Sequence, residues 1–392
     1  MSQGPVMVTG MGCVSALGLG AALSHQRLLE GGRAPGLPTL FRADCKEYGL
    51  VFEALAAPPV LGAGSRTNAM AFLAADEALA AARLELPSLD PARVGVCLGT
   101  TVGCSLNDEV FYRYFHGQEM PGPEAFVRYL SGNPAQALAR RLGLRGPAVS
   151  VGNACASGTD ALGLARRWLL DGLCDAVLAG GCDELCRTPY LGFTSLLNTS
   201  PEPCRPFDRA RRGLNLGEGA AVLILESAAA AQARKAPVQG RISGYGSAVD
   251  AHHATAPHPE GRGLKAATAR ALGEAGLKPA DIAFINAHGT ATPANDQVEG
   301  RSMLEIFGPG AVLVSTKGAT GHALGAAGAL EAAFTLMALN DGQVGPTLGF
   351  EEMDPAIGLA ATRAKTPVKG SAAISNSLAF GGQNSVLVLQ RA

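Results

Sequence analysis

Charge is scarce in this chain: only 17% of its 392 residues are Asp, Glu, Lys or Arg, against about 25% in an average globular domain. The 32 basic and 33 acidic side chains nearly cancel, giving a formal net charge of −1. That balance leaves no electrostatic footprint for nucleic acid, and no charge block marks a membrane surface. Aromatic residues make up 5%, with one Trp. Long apolar runs are also missing. The first charged residue is Arg27, yet the uncharged stretch before it is broken by Gly, Pro, Ser and Gln, poor material for crossing lipid. No basic segment precedes an apolar core, which argues against a secretory signal. Nine cysteines are an odd number and far below a disulfide scaffold, so they read as reduced thiols of a cytoplasmic protein. Cys182, Cys186 and nearby Cys204 are the one cluster hinting at metal. Their CxxxC spacing lacks a second pair, so no zinc site is expected.

Glycine and short β-branched runs are what the chain has in abundance, with 51 Gly in all. Strands are expected at Val6–Thr9, Val94–Thr100, Ala148–Asn153, Asp175–Ala179 and Ala220–Glu226. A second series follows at Gln239–Tyr245, Ile282–Ala287, Val312–Thr316, Ala372–Asn376 and Ser385–Leu389. Continuous apolar strands alternating with helical stretches, such as Asp160–Asp171 and Leu264–Ala275, predict α/β units with parallel sheets covered on both faces. The Ala/Gln-rich stretch Ser227–Pro237 interrupts the pattern, dividing the chain into an N-terminal half, 1–235, and a C-terminal half, 236–392.

Thr9-Gly10-Met11-Gly12-Cys13-Val14-Ser15 mimics a dinucleotide-binding turn. Ser15 stands where close helix packing needs Gly or Ala, so the segment is expected to be a structural strand-to-helix turn. A stronger signal is Val151-Gly152-Asn153-Ala154-Cys155-Ala156-Ser157-Gly158, where a strand passes through small residues straight into an amphipathic helix. Cys155 then sits near a helix N-terminus, whose orphan N–H groups and dipole favour a thiolate and stabilise an oxyanion. In the second half, His288 and His322 each leave a strand end into a Gly/Thr loop, where α/β folds place reacting groups. A lone buried Cys or a single loop His is commonly structural. Two such histidines beside a nucleophile candidate point to chemistry.

These motifs carry a resemblance along nearly the whole chain. They are 6–18 (VMVTGMGCVSALG), 154–158 (ACASG), 176–184 (AVLAGGCDE), 204–208 (CRPFD) and 216–226 (LGEGAAVLILE), then 285–299 (INAHGTATPANDQVE), 315–332 (STKGATGHALGAAGALEA) and 375–385 (SNSLAFGGQNS). The chain resembles the β-ketoacyl-acyl carrier protein synthases of the elongating, decarboxylating Cys-His-His type, in the thiolase-like superfamily. The resemblance implies a five-layer αβαβα arrangement of two α/β halves. It implies that Cys155 carries the acyl chain, that His288 and His322 stabilise the enolate released from malonyl thioester, and that Lys317 is the catalytic lysine with Glu331 as its supporting charge. Thr290 and Thr292 would bind the phosphopantetheine arm. Phe380 would gate the acyl pocket, its backbone N–H joining that of Cys155 as oxyanion hole. No cofactor of the enzyme's own is implied, although a monovalent cation held by Asn286, Glu299, Glu331, Ser375 and Asn376 would fit the family.

The expected partners are an acidic acyl carrier protein, met by a basic patch at Arg66, Arg209, Arg211 and Arg212, and a second synthase subunit in a homodimer or a heterodimer with a paralogue. His252, His253 and His258 are placed near the tunnel mouth as a solvated loop. Gly213-Leu214-Asn215-Leu216 and Leu378-Ala379 depart from the commoner pattern, tilting the acyl substrate from fatty acids towards polyketide or aryl-polyene chains. The competing reading is an inactive chain-length-determining or scaffold subunit that has merely kept its cysteine; such a subunit has no need of Lys317, His288 and His322 together.

Overall fold

A computed structural model describes residues 5–42, 49–54, 57, 65–103, 109–117, 120, 122–130 and 132–392. Ten strands form the backbone of one mixed sheet: β1 (Val6–Ser15), β2 (Val94–Gly99), β3 (Ala148–Val151), β4 (Ala176–Asp183), β5 (Gly219–Ser227), β6 (Gly240–Val249), β7 (Ile282–Asn286), β8 (Leu313–Val314), β9 (Ala372–Ala379) and β10 (Gln383–Gln390). An eleventh, Gly18–Leu19, pairs with β1. The order across the sheet is β8-β7-β9-β10-β6-β1-β5-β4-β2-β3. Outward from the centre, β1–β5 and β5–β4 are antiparallel, while β4–β2 and β2–β3 are parallel. The other side repeats this sequence: β6–β10 and β10–β9 antiparallel, β9–β7 and β7–β8 parallel. The two series meet where Val6–Val8 pair with Gly240–Ile242.

The expectation of wholly parallel sheets is therefore corrected. Only the outer strands are parallel. Phe380–Gly382 alone joins β9 to β10, and a parallel return needs a crossover of a dozen or more residues.

Alternate residues of inner strands such as β5 and β10 enter different cores, which is why their apolar runs lack an alternating pattern. In β5, Ala221, Leu223 and Leu225 face one cluster while Ala220, Val222 and Ile224 face another. In β10, Leu387 and Leu389 share that first cluster, whereas Val386 and Val388 enter a third. The shared cluster is filled by two helices, α2 (Ser157–Leu170) and α4 (Ala327–Asp341). The outer clusters are covered by α1 (Arg66–Ala82) on one side and α3 (Arg262–Ala275) on the other. The layers run helix, sheet, helix, sheet, helix. α4 has no polar face; nearly every side chain along it is buried, as its central position between two sheet faces requires.

Thr9–Ser15 proves to be strand throughout rather than a turn. Its glycines admit α1: a Cβ on Gly10 would lie 2.1 Å from the Ala78 carbonyl oxygen, and one on Gly12 2.0 Å from that of Ala74. Among the described residues, no helix is long and apolar enough to cross a membrane.

Candidate active site

Cys155 lies in the five-residue gap between the end of β3 and the start of α2, and is 5% exposed. The turn is tight. Ala154 adopts a left-handed φ of 44°, and its carbonyl accepts from Ser157 Oγ at 2.6 Å and from Thr101 Oγ1 at 2.9 Å. Small residues are required here because α2 starts against its neighbours. A Cβ on Gly158 would sit 2.7 Å from the Gly325 carbonyl oxygen, and one on Gly99 2.2 Å from the Ser157 backbone.

His288 follows β7. Its amide and that of Gly289 each donate to Glu299, at 2.8 Å to Oε1 and Oε2 respectively. Gly289 has φ 43°, and a Cβ there would meet Ser315 at 2.6 Å. His322 is held by backbone: its N–H donates to the Asn215 carbonyl at 2.8 Å, and its carbonyl accepts from Gly217 at 2.9 Å. The segment Gly213–Leu216 is thus the splint that sets His322. Asn215 is in turn fixed by the Cys204 amide, which donates to its Oδ1 at 2.7 Å.

The structure brings these side chains together. His322 Nε2 is 2.9 Å from Cys155 Sγ. The two imidazoles stand edge to face, with centroids 5.2 Å apart. Lys317 Nζ lies 3.3 Å from His288 Nδ1 and contacts Glu331 directly. All five are at most 5% exposed.

Burial governs their protonation. Desolvation, with a secondary push from the Lys317 charge, holds both imidazoles well below the ordinary histidine range, so they are neutral. Lys317 donates to Nδ1 of His288, which leaves the proton of that ring on Nε2. Burial pushes Glu331 up to about 7 despite Lys317. The Cys155 thiol is pushed up to about 12 by burial, against the downward pull of Lys317. Burial thus favours the thiol at rest, against the pull of the helix terminus towards a thiolate.

These residues open onto a cavity of about 420 Å³. Cys155, His288 and His322 lie in its wall together with Thr290, Thr292, Phe193 and Phe380. The two threonine hydroxyls are 2.9 Å apart. The Phe380 ring stacks on Phe193 with centroids 5.2 Å apart. The loop bearing His252, His253 and His258 is close by, since Thr255, Ala256 and Pro257 line the cavity. His253 and His258 each accept backbone N–H groups of that loop through Nδ1.

The proposed basic patch is largely dismantled. Arg66 is a half-buried strut, donating to Glu218 through Nε at 2.9 Å and Nη2 at 2.7 Å. Arg211, with 5% side-chain exposure, pairs with Asp354. Both were drawn inside by buried or half-buried carboxylates, which a sequence count of charges does not show. Arg209 is exposed but bound to Glu352. Arg212 alone of the four lines the cavity.

The candidate cation residues pass a physical test. Asn286 Oδ1, Glu331 Oε2, Ser375 Oγ and Asn376 Oδ1 are buried oxygens with no hydrogen-bond partner, and burial without compensation is costly for such groups. Asn376 Nδ2 reaches the fifth residue, Glu299, at 3.2 Å. An oxygen-rich set of this kind suits a hard monovalent cation. Cys182, Cys186 and Cys204 form no metal-ligating group among the described residues.

Asp183 escaped the sequence reading. It ends β4 fully buried and accepts from Thr100 Oγ1 at 2.6 Å, Thr101 N at 2.7 Å, Val102 N at 3.0 Å and Gly325 N at 2.6 Å. It clamps the loop over the Cys155 turn to the segment after His322. An acid closing an otherwise apolar strand was the available signal.

Comparison with known proteins agrees with this geometry. The β-ketoacyl synthase N-terminal domain family matches residues 59–231, and the β-ketoacyl synthase C-terminal domain family matches 239–351. The chain is 36% identical to 3-oxoacyl-[acyl-carrier-protein] synthase 2 of Synechocystis, covering 98% of each, and 33% identical to the Staphylococcus aureus (strain COL) protein of that name, covering 100% of this chain and 99% of that one. Similar solved structures include the ishigamide ketosynthase/chain length factor, with a TM-score of 0.92 at 30% identity over 100% of both chains. Another is the Xenorhabdus doucetiae ketosynthase ApeO in complex with its chain length factor ApeC, with a TM-score of 0.84 at 32% identity over 99% of this chain and 98% of that one. With both family domains matched in order and relatives spanning its whole length, the chain belongs to the β-ketoacyl synthase family, with the thiolase-like fold.

Proposed function

We propose that this protein catalyses the decarboxylative condensation of malonyl-acyl carrier protein with an acyl chain carried on Cys155. The observation that carries the reading is the convergence of Cys155 Sγ and one nitrogen each of His288 and His322 within 4.8 Å, in the wall of a cavity of about 420 Å³.

Cys155 Sγ attacks the thioester carbonyl of the incoming acyl group. The new C–S bond forms, the bond to the pantetheine sulfur breaks, and the thiol proton ends on the departing sulfur. His322 Nε2, at 2.9 Å, is the relay for that proton. Its Nδ1 has no partner among the described residues, so the ring's one proton can sit on Nδ1 while Nε2 accepts from the thiol, and on Nε2 when that nitrogen donates to the enolate. The N–H groups of Cys155 and Phe380 receive the oxyanion, and the N-terminus of α2 stabilises the charge.

Malonyl thioester then enters along Thr290 and Thr292. Its carboxyl C–C bond breaks, carbon dioxide leaves, and the electron pair moves into an enolate. Neutral imidazoles suit this step: each offers its oxygen-facing N–H without competing as an acid. Lys317 holds the His288 proton on the nitrogen away from itself, and its charge adds to the field around the enolate. The enolate carbon attacks the acyl-Cys155 carbonyl, Sγ leaves and takes a proton from water, and a β-ketoacyl thioester two carbons longer is released. A monovalent cation at Asn286, Glu299, Glu331, Ser375 and Asn376 would supply charge that offsets the two buried carboxylates.

The chain acts as two halves, 1–235 and 236–392, each giving part of the site. The exposed edge strand β3 and the helix Pro123–Leu130, with Val127 and Leu130 exposed, offer the surface for a second synthase subunit. The acyl donor is a carrier protein, in the chemistry of fatty-acid or polyketide synthesis, and the small Ala379 beside the Phe380 gate favours the stiff chains of the latter. Combining the purified protein with acyl- and malonyl-carrier protein tests the reading: chain extension by two carbons supports it, and no product with every substrate loaded rejects it in favour of an inactive partner subunit.

A further inference from the structure

The segment Arg205–Arg212 carries four arginines, and three are neutralised by one short acidic stretch. Arg205 pairs with Glu351 at 3.4 Å, Arg209 with Glu352 at 2.8 Å and Arg211 with Asp354 at 2.6 Å. The fourth, Arg212, forms no ion pair among the described residues, is exposed, and is the one arginine or lysine lining the cavity. It is also held in place. Arg211 Nη2 donates to the Pro293 carbonyl at 3.1 Å, and Pro293 is itself part of the cavity wall, next to Thr292. Arg211 therefore pins the backbone of Arg212 beside the threonines.

A cation left unpaired at a substrate cavity selects for an anion, and a guanidinium suits phosphate oxygens by its planar pair of donors. Two anions enter with the substrates: the malonyl carboxylate and the phosphodiester of the pantetheine arm. The carboxylate must reach His288 and His322, which are 2% and 1% exposed, whereas Arg212 is at the exposed rim. We propose that Arg212 is a specificity-determining residue that binds the phosphodiester of the phosphopantetheine arm, so that the enzyme selects phosphorylated over unphosphorylated thioesters. This rests on the condensing role proposed above.

The experiment follows transfer of one acyl group to Cys155, by intact-protein mass, from three donors: acyl-carrier protein, acyl-4′-phosphopantetheine and acyl-pantetheine. Malonyl groups are absent, so their carboxylate plays no part. The native enzyme should acylate at lower concentrations of the phosphorylated small donor than of acyl-pantetheine, and Arg212→Gln should lower that preference about tenfold, as loss of a charge-assisted hydrogen bond does. Arg212→Lys, which keeps the charge but not the fork, should recover part of it. A preference unchanged in Arg212→Gln overturns the assignment, as does a defect confined to the carrier-protein donor, which would mean that Arg212 meets acidic side chains of the carrier. An equal defect with all three donors overturns it too, by showing a structural effect. Native enzyme that acylates from none of them defeats the condensing role itself, a separate outcome.

Discussion

His322 Nε2 touches Cys155 Sγ at 2.9 Å although 167 positions separate the two residues. Cys155 hangs from the outermost parallel strand of one sheet series, and His322 from the loop beyond the outermost parallel strand of the other. α2 and α4, packed in the shared central core, bring those distant edges together. The reacting atoms are assembled across the layers, not within one of them, so the site and the fold stand or fall together.

Acylation should label one cysteine. All seven cysteines among the described residues are free thiols, but Cys13, Cys97 and Cys204 lie in closed cores or under the site, whereas Cys155 opens onto the cavity. Peptide mass analysis after incubation with acyl-carrier protein should place the acyl group on Cys155, and Cys155→Ala should abolish chain extension. A label on Cys182 or Cys204 with extension intact in Cys155→Ala refutes the assignment.

The two histidines should separate by half-reaction. His288 is bound to Lys317, not to Cys155, so His288→Ala should leave acylation of Cys155 near native while slowing malonyl decarboxylation about a hundred- to a thousand-fold, the usual cost of one oxyanion donor. His322→Ala should slow both, since it also loses the contact with Sγ. Carbon dioxide release from labelled malonyl-carrier protein and acylation measured by mass read the two steps independently.

The sequence made Cys155, His288, His322 and Lys317 legible because each sits in a run of small residues whose spacing reflects backbone crowding; glycines such as Gly158 and Gly289 have no room for a Cβ. Strand positions were legible for the same kind of reason, since residues buried on both faces write continuous apolar runs. Strand direction was not: whether β10 returns antiparallel to β9 depends on the length of a link, which apolar runs do not encode. Charge pairing was equally hidden. Arg66 and Arg211 look like any loop arginine until Glu218 and Asp354 are seen beside them. Asp183 was obscured by its motif, where it reads as the polar end of a strand.

Asp183→Asn should weaken the whole assembly. The carboxylate takes five donors from two segments. An amide in its place presents N–H groups to some of them and leaves buried amides unpaired, at about 1–3 kcal/mol each. The denaturation midpoint should fall, and acylation of Cys155 should slow as the loop Thr100–Gly103 loses its anchor. A variant with native stability and native acylation would show that the clamp is idle.

Glu184 should give the protein a stability contribution that declines as pH rises through the weakly acidic range, opposite in sign to that of the buried neutral histidines. Burial pushes its carboxyl from 4.5 up to about 7, although Thr67 donates to it through backbone and hydroxyl. A carboxyl whose folded value is raised binds its proton more tightly in the folded state. Its contribution is therefore complete below about pH 4.5 and is lost as pH climbs through 7, a change on the order of 3 kcal/mol at most. Glu184→Gln cannot ionise and keeps an oxygen for Thr67. Between pH 5 and pH 8 its stability relative to the native protein should rise; chemical denaturation at the two pH values measures the difference, and parallel changes in both proteins would assign the effect elsewhere.

The last expectation concerns the acyl chain. The Phe380 ring lies against Phe193 at the cavity wall, and Leu378 and Ala379 line the same wall. A saturated chain bends around a bulky gate, whereas a conjugated chain needs a straight path, which the single methyl of Ala379 helps to leave open. Pocket shape of this kind discriminates by about 1–3 kcal/mol. Offered equal concentrations of saturated and conjugated acyl-carrier substrates of equal length, the enzyme should extend the conjugated chain preferentially, and Ala379→Phe should reverse the preference by narrowing that path. A native preference for the saturated chain would instead place the enzyme in fatty-acid elongation, with the condensation chemistry unchanged.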